Sequence, residues 1–161
     1  LHGFWTRAYM DKVLMPAIDS GLAKAGRTRD DFTITGGGFL VTGADEAELA
    51  ANRERVRYQV AFYGSTPTYR PVWEAHDMGE LGDRLHTLSI EKSPDRWQRM
   101  TSLISDDVLD LFAVTAEPKD VGTALLKRNG DYADRISLPS LVGDPDVWAN
   151  TIATLRNGGA R

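Results

Sequence analysis

The chain has 161 residues, 42% of them apolar and 26% charged, with a formal net charge of −4 and no cysteine. That length suffices for one domain with a buried core, the acidic balance offers no basic surface to a phosphate backbone, and the missing thiols exclude disulfides and thiolate metal sites. No apolar run approaches the roughly 18 residues of a membrane span, and His2, His76 and His86 lack metal-ligand spacing. Nucleic acid, membrane and metal are therefore set aside as partners, and a cytoplasmic setting is expected.

In chain order, a helix is expected from an N-cap at Thr6 to Ala25, with Tyr9, Val13, Ile18 and Leu22 near helical spacing, a bend at Pro16 and a stop at Gly26. Residues 32–42 read as one strand interrupted by Gly36-Gly37-Gly38. These glycines lack the spacing of a phosphate cradle and instead leave room for a neighbouring backbone. Asp45, with Glu48 three residues on, opens a helix whose buried face is carried by Leu49, Val56, Val60 and Tyr63. Gly64-Ser65-Thr66-Pro67 breaks it, a short helix with Tyr69, Val72, Trp73 and His76 stops at Gly79, and Ser93-Pro94 starts another through Trp97, Met100, Leu103 and Ile104. Ser105-Asp106-Asp107 caps a segment with Val108, Leu109 and Phe112. Glu117-Pro118 opens one that reaches Arg128, weakened by about 1 kcal/mol at Gly122 relative to alanine. After the Asn129-Gly130-Asp131 turn, residues 133–138 read as a short strand ended by Pro139, and Asp144-Pro145 caps a last helix that stops at Gly158-Gly159.

Two strands, each followed by a helix and separated by a long helical stretch, describe units of a parallel α/β sheet. Two strands cannot close a (β/α)8 barrel, which takes eight strands and about 250 residues. If these units belong to one, most of its strands lie upstream of Leu1, an expectation that the absent initiator methionine joins. The two strand segments are then expected to lie parallel and adjacent, with the helices of residues 45–128 packed outside them.

The stretch Phe62-Tyr63-Gly64-Ser65-Thr66-Pro67-Thr68-Tyr69-Arg70 resembles a segment of the luciferase-like oxidoreductases, notably a group that uses the deazaflavin coenzyme F420. Leu1-His2-Gly3-Phe4, with Tyr9, Val13-Leu14-Met15-Pro16-Ala17 and Ala25-Gly26-Arg27, resembles the end of that family's sixth barrel strand and the helix after it. Phe39-Leu40-Val41-Thr42-Gly43 resembles the seventh strand. Ile104-Ser105-Asp106-Asp107-Val108-Leu109, Ala113-Val114 and Glu117-Pro118, followed by Ala133-Asp134-Arg135-Ile136, resemble the approach to the eighth strand and that strand. Ala116, where the family often has glycine, and Gly122 depart from the pattern.

The resemblance implies an α/β fold in which residues 1–161 form a single partial domain, the C-terminal half of a luciferase-like TIM barrel. It would hold the end of strand six to strand eight, with a helical insertion between seven and eight. The implied function is hydride transfer between coenzyme F420 and a small organic substrate. An FMN-dependent monooxygenase is the alternative within the fold, and a non-catalytic helical interaction module the alternative outside it. Barrel enzymes keep their sites at the C-terminal mouth, which makes His2, Gly3 and Phe4 candidate cofactor contacts and Trp5, Tyr63 and Ser65 candidate substrate contacts. Simpler roles stand against four of them: an exposed chain end for His2, a loop aromatic for Phe4, and satisfaction of helix-end carbonyls for Tyr63 and Ser65. Trp73, Trp97 and Trp148 are read as packing residues, and His76 and His86 as core or surface. No catalytic acid or base is assigned, and exposed barrel edges favour association into a homo-oligomer.

Overall fold

The computed structural model describes residues 1–138 and 144–158; the strand end expected at Pro139 and the second glycine of the final stop, Gly159, lie outside them. Thr6 caps the first helix, its hydroxyl accepting the Tyr9 N–H at 3.2 Å. The helical run that follows has three parts: α1 (Arg7–Tyr9), a π turn at Met10–Leu14, and α2 (Met15–Lys24). Pro16 carries no N–H for the Lys12 carbonyl, and the irregularity expected there takes the form of the wider π turn just before it. Gly26, at φ 64°, ends the run, and the Arg27 N–H returns to the Leu22 carbonyl at 2.9 Å.

The single strand expected over residues 32–42 is two. β1 (Thr35–Gly36) and β2 (Phe39–Val41) are separated by Gly37 and Gly38, at φ 157° and 146°, a backbone that side-chain-bearing residues hold only with strain. β1 pairs in parallel with β4 (Arg135–Ile136), Thr35 opposite Arg135. β2 pairs in parallel with β3 (Ala113–Thr115), Phe39 opposite Ala113. The glycines thus hand the chain from one partner strand to another. Parallel adjacency of the two expected strand segments is observed at β1 and β4, although each is shorter than expected. The opening residues run beside β1 in the same direction: the Leu1 amino group donates to the Thr35 carbonyl at 2.9 Å, and Gly3 packs on Gly38.

Between β2 and β3 the chain is helical: α3 (Glu46–Gly64), a 3-10 turn at Pro67–Tyr69, α4 (Arg70–Glu74), α5 (Gly79–Ser89), α6 (Arg96–Ser102) and α7 (Asp106–Phe112). α3 opens as its sequence predicts, with the Asp45 carboxylate accepting the Glu48 N–H and the Glu48 carboxylate accepting the Ala44 N–H, both at 2.8 Å. Val56, Val60 and Ala61 then enter a core shared with Trp73, Leu85, Met100, Leu109 and Phe112. Trp73 is fully buried, its indole N–H donating to the Gly64 carbonyl at 2.9 Å. A methyl added at Gly64 or Gly82 would overlap the indole, so both glycines are needed for the helices to close on it. This explains α5, which begins at the very Gly79 read as a stop. Packing of Gly82 and Leu85 against the core outweighs the poor helix propensity of two glycines.

The chain finishes with a 3-10 turn at Pro118–Asp120, α8 (Val121–Asn129), β4 and α9 (Pro145–Gly158), whose first turn is held by the Asp144 carboxylate accepting the Asp146 N–H at 2.9 Å. A Cβ on Gly122 would lie 2.8 Å from the Thr154 Cβ. The residue that weakens α8 as a helix is thus what lets α9 approach it. Leu40, Val114, Val121, Leu125 and Trp148 form this second core. Among the described residues no helix is long and apolar enough to cross a membrane.

Candidate functional site

In the extended opening segment His2 and Phe4 are two residues apart and lie on one face, both against Tyr63 and Tyr69. His2 is exposed, while Phe4 is buried and packs face to face with Phe112 at 4.5 Å between ring centroids and edge-on to Trp73 at 5.6 Å. Phe4 therefore anchors the segment to the helical core. Its own N–H donates to the His2 Nδ1 at 3.1 Å, which ties the imidazole to the backbone that Phe4 fixes.

Around His2 the break after α3 delivers two tyrosines. Tyr63, in the last turn of α3, meets the imidazole edge-on at 4.8 Å. Tyr69, at the end of the Pro67–Tyr69 turn, stacks on it at 5.1 Å with 24° between planes. Tyr63 and Tyr69 are 6.3 Å apart, closing a triangle of rings with Phe4 beneath, 5.1 Å from Tyr69, and Phe39 of β2 at 6.1 Å from Tyr63. Local sequence explains the geometry: Gly64 ends α3 against Trp73, and Pro67 sets the tight turn that swings Tyr69 back. The cluster brings an exposed imidazole and two half-buried phenols together at the surface, a combination of aromatic rings and polar hydrogens.

Of the residues singled out from sequence, His2, Phe4 and Tyr63 come together here, and Gly3 lies between the first two, against Gly38. Trp5 points the other way. It is 1% exposed, its indole N–H donates to the Gly37 carbonyl at 3.1 Å, and the Arg128 guanidinium covers its face at 4.5 Å. Ser65 is buried, with its hydroxyl donating to the Phe62 carbonyl at 2.7 Å, and the His86 Nδ1 lies 3.1 Å from its own carbonyl. The hydroxyl thus has the simpler role of satisfying a helix end.

Sequence reading missed three features. By sequence Tyr69 belongs to a short helix, whereas in the structure it ends the turn that Pro67, two residues earlier, signals. His76 places its Nε2 2.7 Å from the hydroxyl of the buried Thr6, and burial, helped by the Lys12 ammonium and opposed by Asp77, pushes its pKa down. Arg128 donates to the carbonyls of Trp5, Leu111 and Phe112 at 3.0–3.2 Å, and burial lowers its pKa. No local pattern announces either contact, since the partners lie far away in sequence.

Several clefts lie elsewhere. One of about 300 Å³ between α8, β4 and α9 is lined by Leu126, Ile136, Leu138, Ile152 and Leu155. Another, of about 380 Å³, lies between β2 and α3 and is also lined by Trp148. Neither of these includes His2, Tyr63 or Tyr69, and the aromatic cluster is the stronger candidate because it joins aromatic rings to an imidazole.

Comparison with known proteins gives a consistent picture. Residues 1–135 match the luciferase-like monooxygenase family. An uncharacterised protein of Mycobacterium tuberculosis (strain H37Rv) is 41% identical over 135 residues, which is 84% of this chain and 39% of the relative; an uncharacterised Mycobacterium bovis protein matches to the same extent. A 5,10-methylenetetrahydromethanopterin reductase of Archaeoglobus fulgidus is 29% identical over 106 residues, 65% of this chain and 31% of the relative. The chain thus spans less than two fifths of the length of these relatives. No solved structure matches it.

Proposed function

The chain belongs to the luciferase-like monooxygenase family, and from that premise we propose that it supplies the later strands of a (β/α)8-barrel oxidoreductase that uses coenzyme F420. The family uses flavin or deazaflavin cofactors. The observation that carries the reading is the side-by-side parallel run of the opening segment, β1 and β4, with the triangle of His2, Tyr63 and Tyr69 gathered beside Phe39, beyond the end of β1. Consecutive barrel units lie in this way, and barrel enzymes act at the ends of their strands.

The residues present fit such a cofactor. A planar heteroaromatic ring finds stacking partners in Tyr63 and Tyr69, and the exposed His2 imidazole can hydrogen-bond its heteroatoms. When bound, the cofactor supplies the hydride chemistry. The chain's own residues position that ring, exclude water through the buried Phe4 floor, and hold polar hydrogens at the rim. A relative named as a reductase supports the redox reading over a non-catalytic helical module. The substrate is a small organic molecule.

On this reading the isolated 161 residues do not turn over substrate, because a barrel mouth needs the loops of all eight strands. The test is to titrate the full-length polypeptide carrying this chain with F420 and, separately, with FMN, following cofactor fluorescence, and to repeat both with residues 1–161 alone. Tight F420 binding by the longer polypeptide, with no turnover by the shorter, is expected. FMN bound in preference to F420 shifts the reading to the monooxygenase, and binding of neither defeats it.

A further inference from the structure

Resting on that reading, we propose that His2 is a specificity-determining hydrogen-bond donor: the fold holds its imidazole as the neutral tautomer with the proton on Nε2, and this N–H reads a carbonyl-type oxygen on the ligand's ring.

The backbone N–H of Phe4 can only donate, and it sits 3.1 Å from the His2 Nδ1. Nδ1 must therefore present its lone pair, and in a neutral imidazole the proton is then on Nε2. The ring's orientation is over-determined. Tyr69 lies flat against it and Tyr63 meets its edge. A flip about the Cβ–Cγ bond would bring a carbon to the Phe4 N–H and leave that donor without a partner. With Nδ1 turned to the backbone, Nε2 is the ring nitrogen left for a ligand, on a residue that is exposed. Among the described residues nothing accepts from it, and the Tyr63 and Tyr69 hydroxyls likewise have no hydrogen-bond partner there.

The rim thus carries polar hydrogens, and among the described residues no carboxylate hydrogen-bonds to His2, Tyr63 or Tyr69. Such a rim favours oxygen acceptors, neutral or anionic, and disfavours cationic ligands, while the stacked tyrosines favour a flat conjugated ring. The ligand class that meets both demands is a planar heterocycle bearing ring carbonyls. His2 contacts it directly, and Phe4 acts through His2 as a positioning residue.

The tautomer is read from the 15N-labelled 161-residue chain by long-range 15N–1H correlation, with the His2→Gln variant identifying the His2 signals. The expected pattern is an unprotonated acceptor at Nδ1 and a proton-bearing Nε2; the opposite tautomer, or the averaged pattern of a free histidine, overturns the proposal. The ligand half is tested in the full-length polypeptide by fluorescence titration with F420 and with FMN, for wild type, His2→Gln and His2→Leu. Glutamine keeps an N–H at the reach of Nε2 and should bind within about threefold of wild type, whereas leucine should weaken binding by about tenfold or more. Leucine binding as tightly as wild type overturns the donor role. If wild type binds neither probe, the proposed function fails and the ligand half falls with it, while the tautomer stands or falls on the spectrum alone.

Discussion

Residues 46–112 and the strand-bearing remainder are held together in different ways. The helical stretch closes around Trp73, with its glycine gaps at Gly64 and Gly82 and a shell of Val60, Leu85, Met100 and Phe112. β1 to β4 are two or three residues each. They are held by two smaller apolar clusters, Leu40, Val114, Val121, Leu125 and Trp148 in one and Trp5, Met10, Ile34 and Tyr132 in the other, with polar contacts beside them: Arg29 with Asp134 at 2.6 Å, Arg7 with Asp131, and Arg128 spanning three carbonyls. The aromatic triangle straddles the seam, with His2 from the strand side and Tyr63 and Tyr69 from the helical side. Stability and site are thus contributed by different atoms, and substitutions should separate them.

The comparison breaks most visibly at Trp73. Trp73→Ala empties the centre of the helical core and should cost about 3–5 kcal/mol by urea denaturation, enough to unfold a marginal domain. A loss below about 1 kcal/mol would mean that the helical stretch does not depend on this core. Gly122→Ala comes next. It drives a methyl into Thr154 and should destabilise by about 1–3 kcal/mol, by prying α9 from α8. The opposite result, the stabilisation that alanine normally brings to a helix, would show that the two helices are not tightly apposed.

A smaller effect follows from His76. Its folded pKa lies below the ordinary imidazole value, so as pH falls the unfolded chain takes up the proton first. The contribution is fully present above the ordinary value, about 6.5, and declines as pH falls through the window beneath it. Melting curves from pH 7.5 down to about 5 should show this decline in wild type and a flatter one in His76→Gln. Identical slopes would remove His76 from the account. The carboxylates of Asp131 and Asp106, held low chiefly by hydrogen bonds from Arg7 and Arg57, titrate further down and do not confuse the comparison.

Much of this design is legible in the sequence where the interaction is local. The caps at Thr6, Asp45, Ser105 and Asp144 each act within three residues, and all four appear in the structure. The pairing of β1 with β4 is also legible, because strand-helix order implies it. What escaped was non-local. β3 follows α7 without a break and is too short to show alternation. The Gly37-Gly38 pair looks like an interruption within one strand until the second partner strand is seen. At the site, His2 and Tyr63 were visible as candidates. Trp5 was expected nearer the substrate, but its indole finds a carbonyl 32 residues away and a guanidinium 123 residues away. Tyr69 became visible only once the turn after Pro67 had folded it onto His2.

The smallest stability change should come from His2→Ala, and that same variant tests the central claim most directly. In the full-length polypeptide, F420 affinity and kcat/KM are measured beside Tm for wild type and His2→Ala, with Ile90→Ala, an exposed residue outside the aromatic cluster, as the control. Losing one hydrogen-bond partner in a partly dehydrated site costs about 1–3 kcal/mol, which is roughly 5- to 150-fold in affinity or kcat/KM. The account predicts that loss for His2→Ala with a fall in Tm that is small beside that of Trp73→Ala, since the Phe4 N–H loses its partner but no core is emptied, and wild-type behaviour for Ile90→Ala. Unchanged affinity and unchanged kcat/KM in His2→Ala would contradict it.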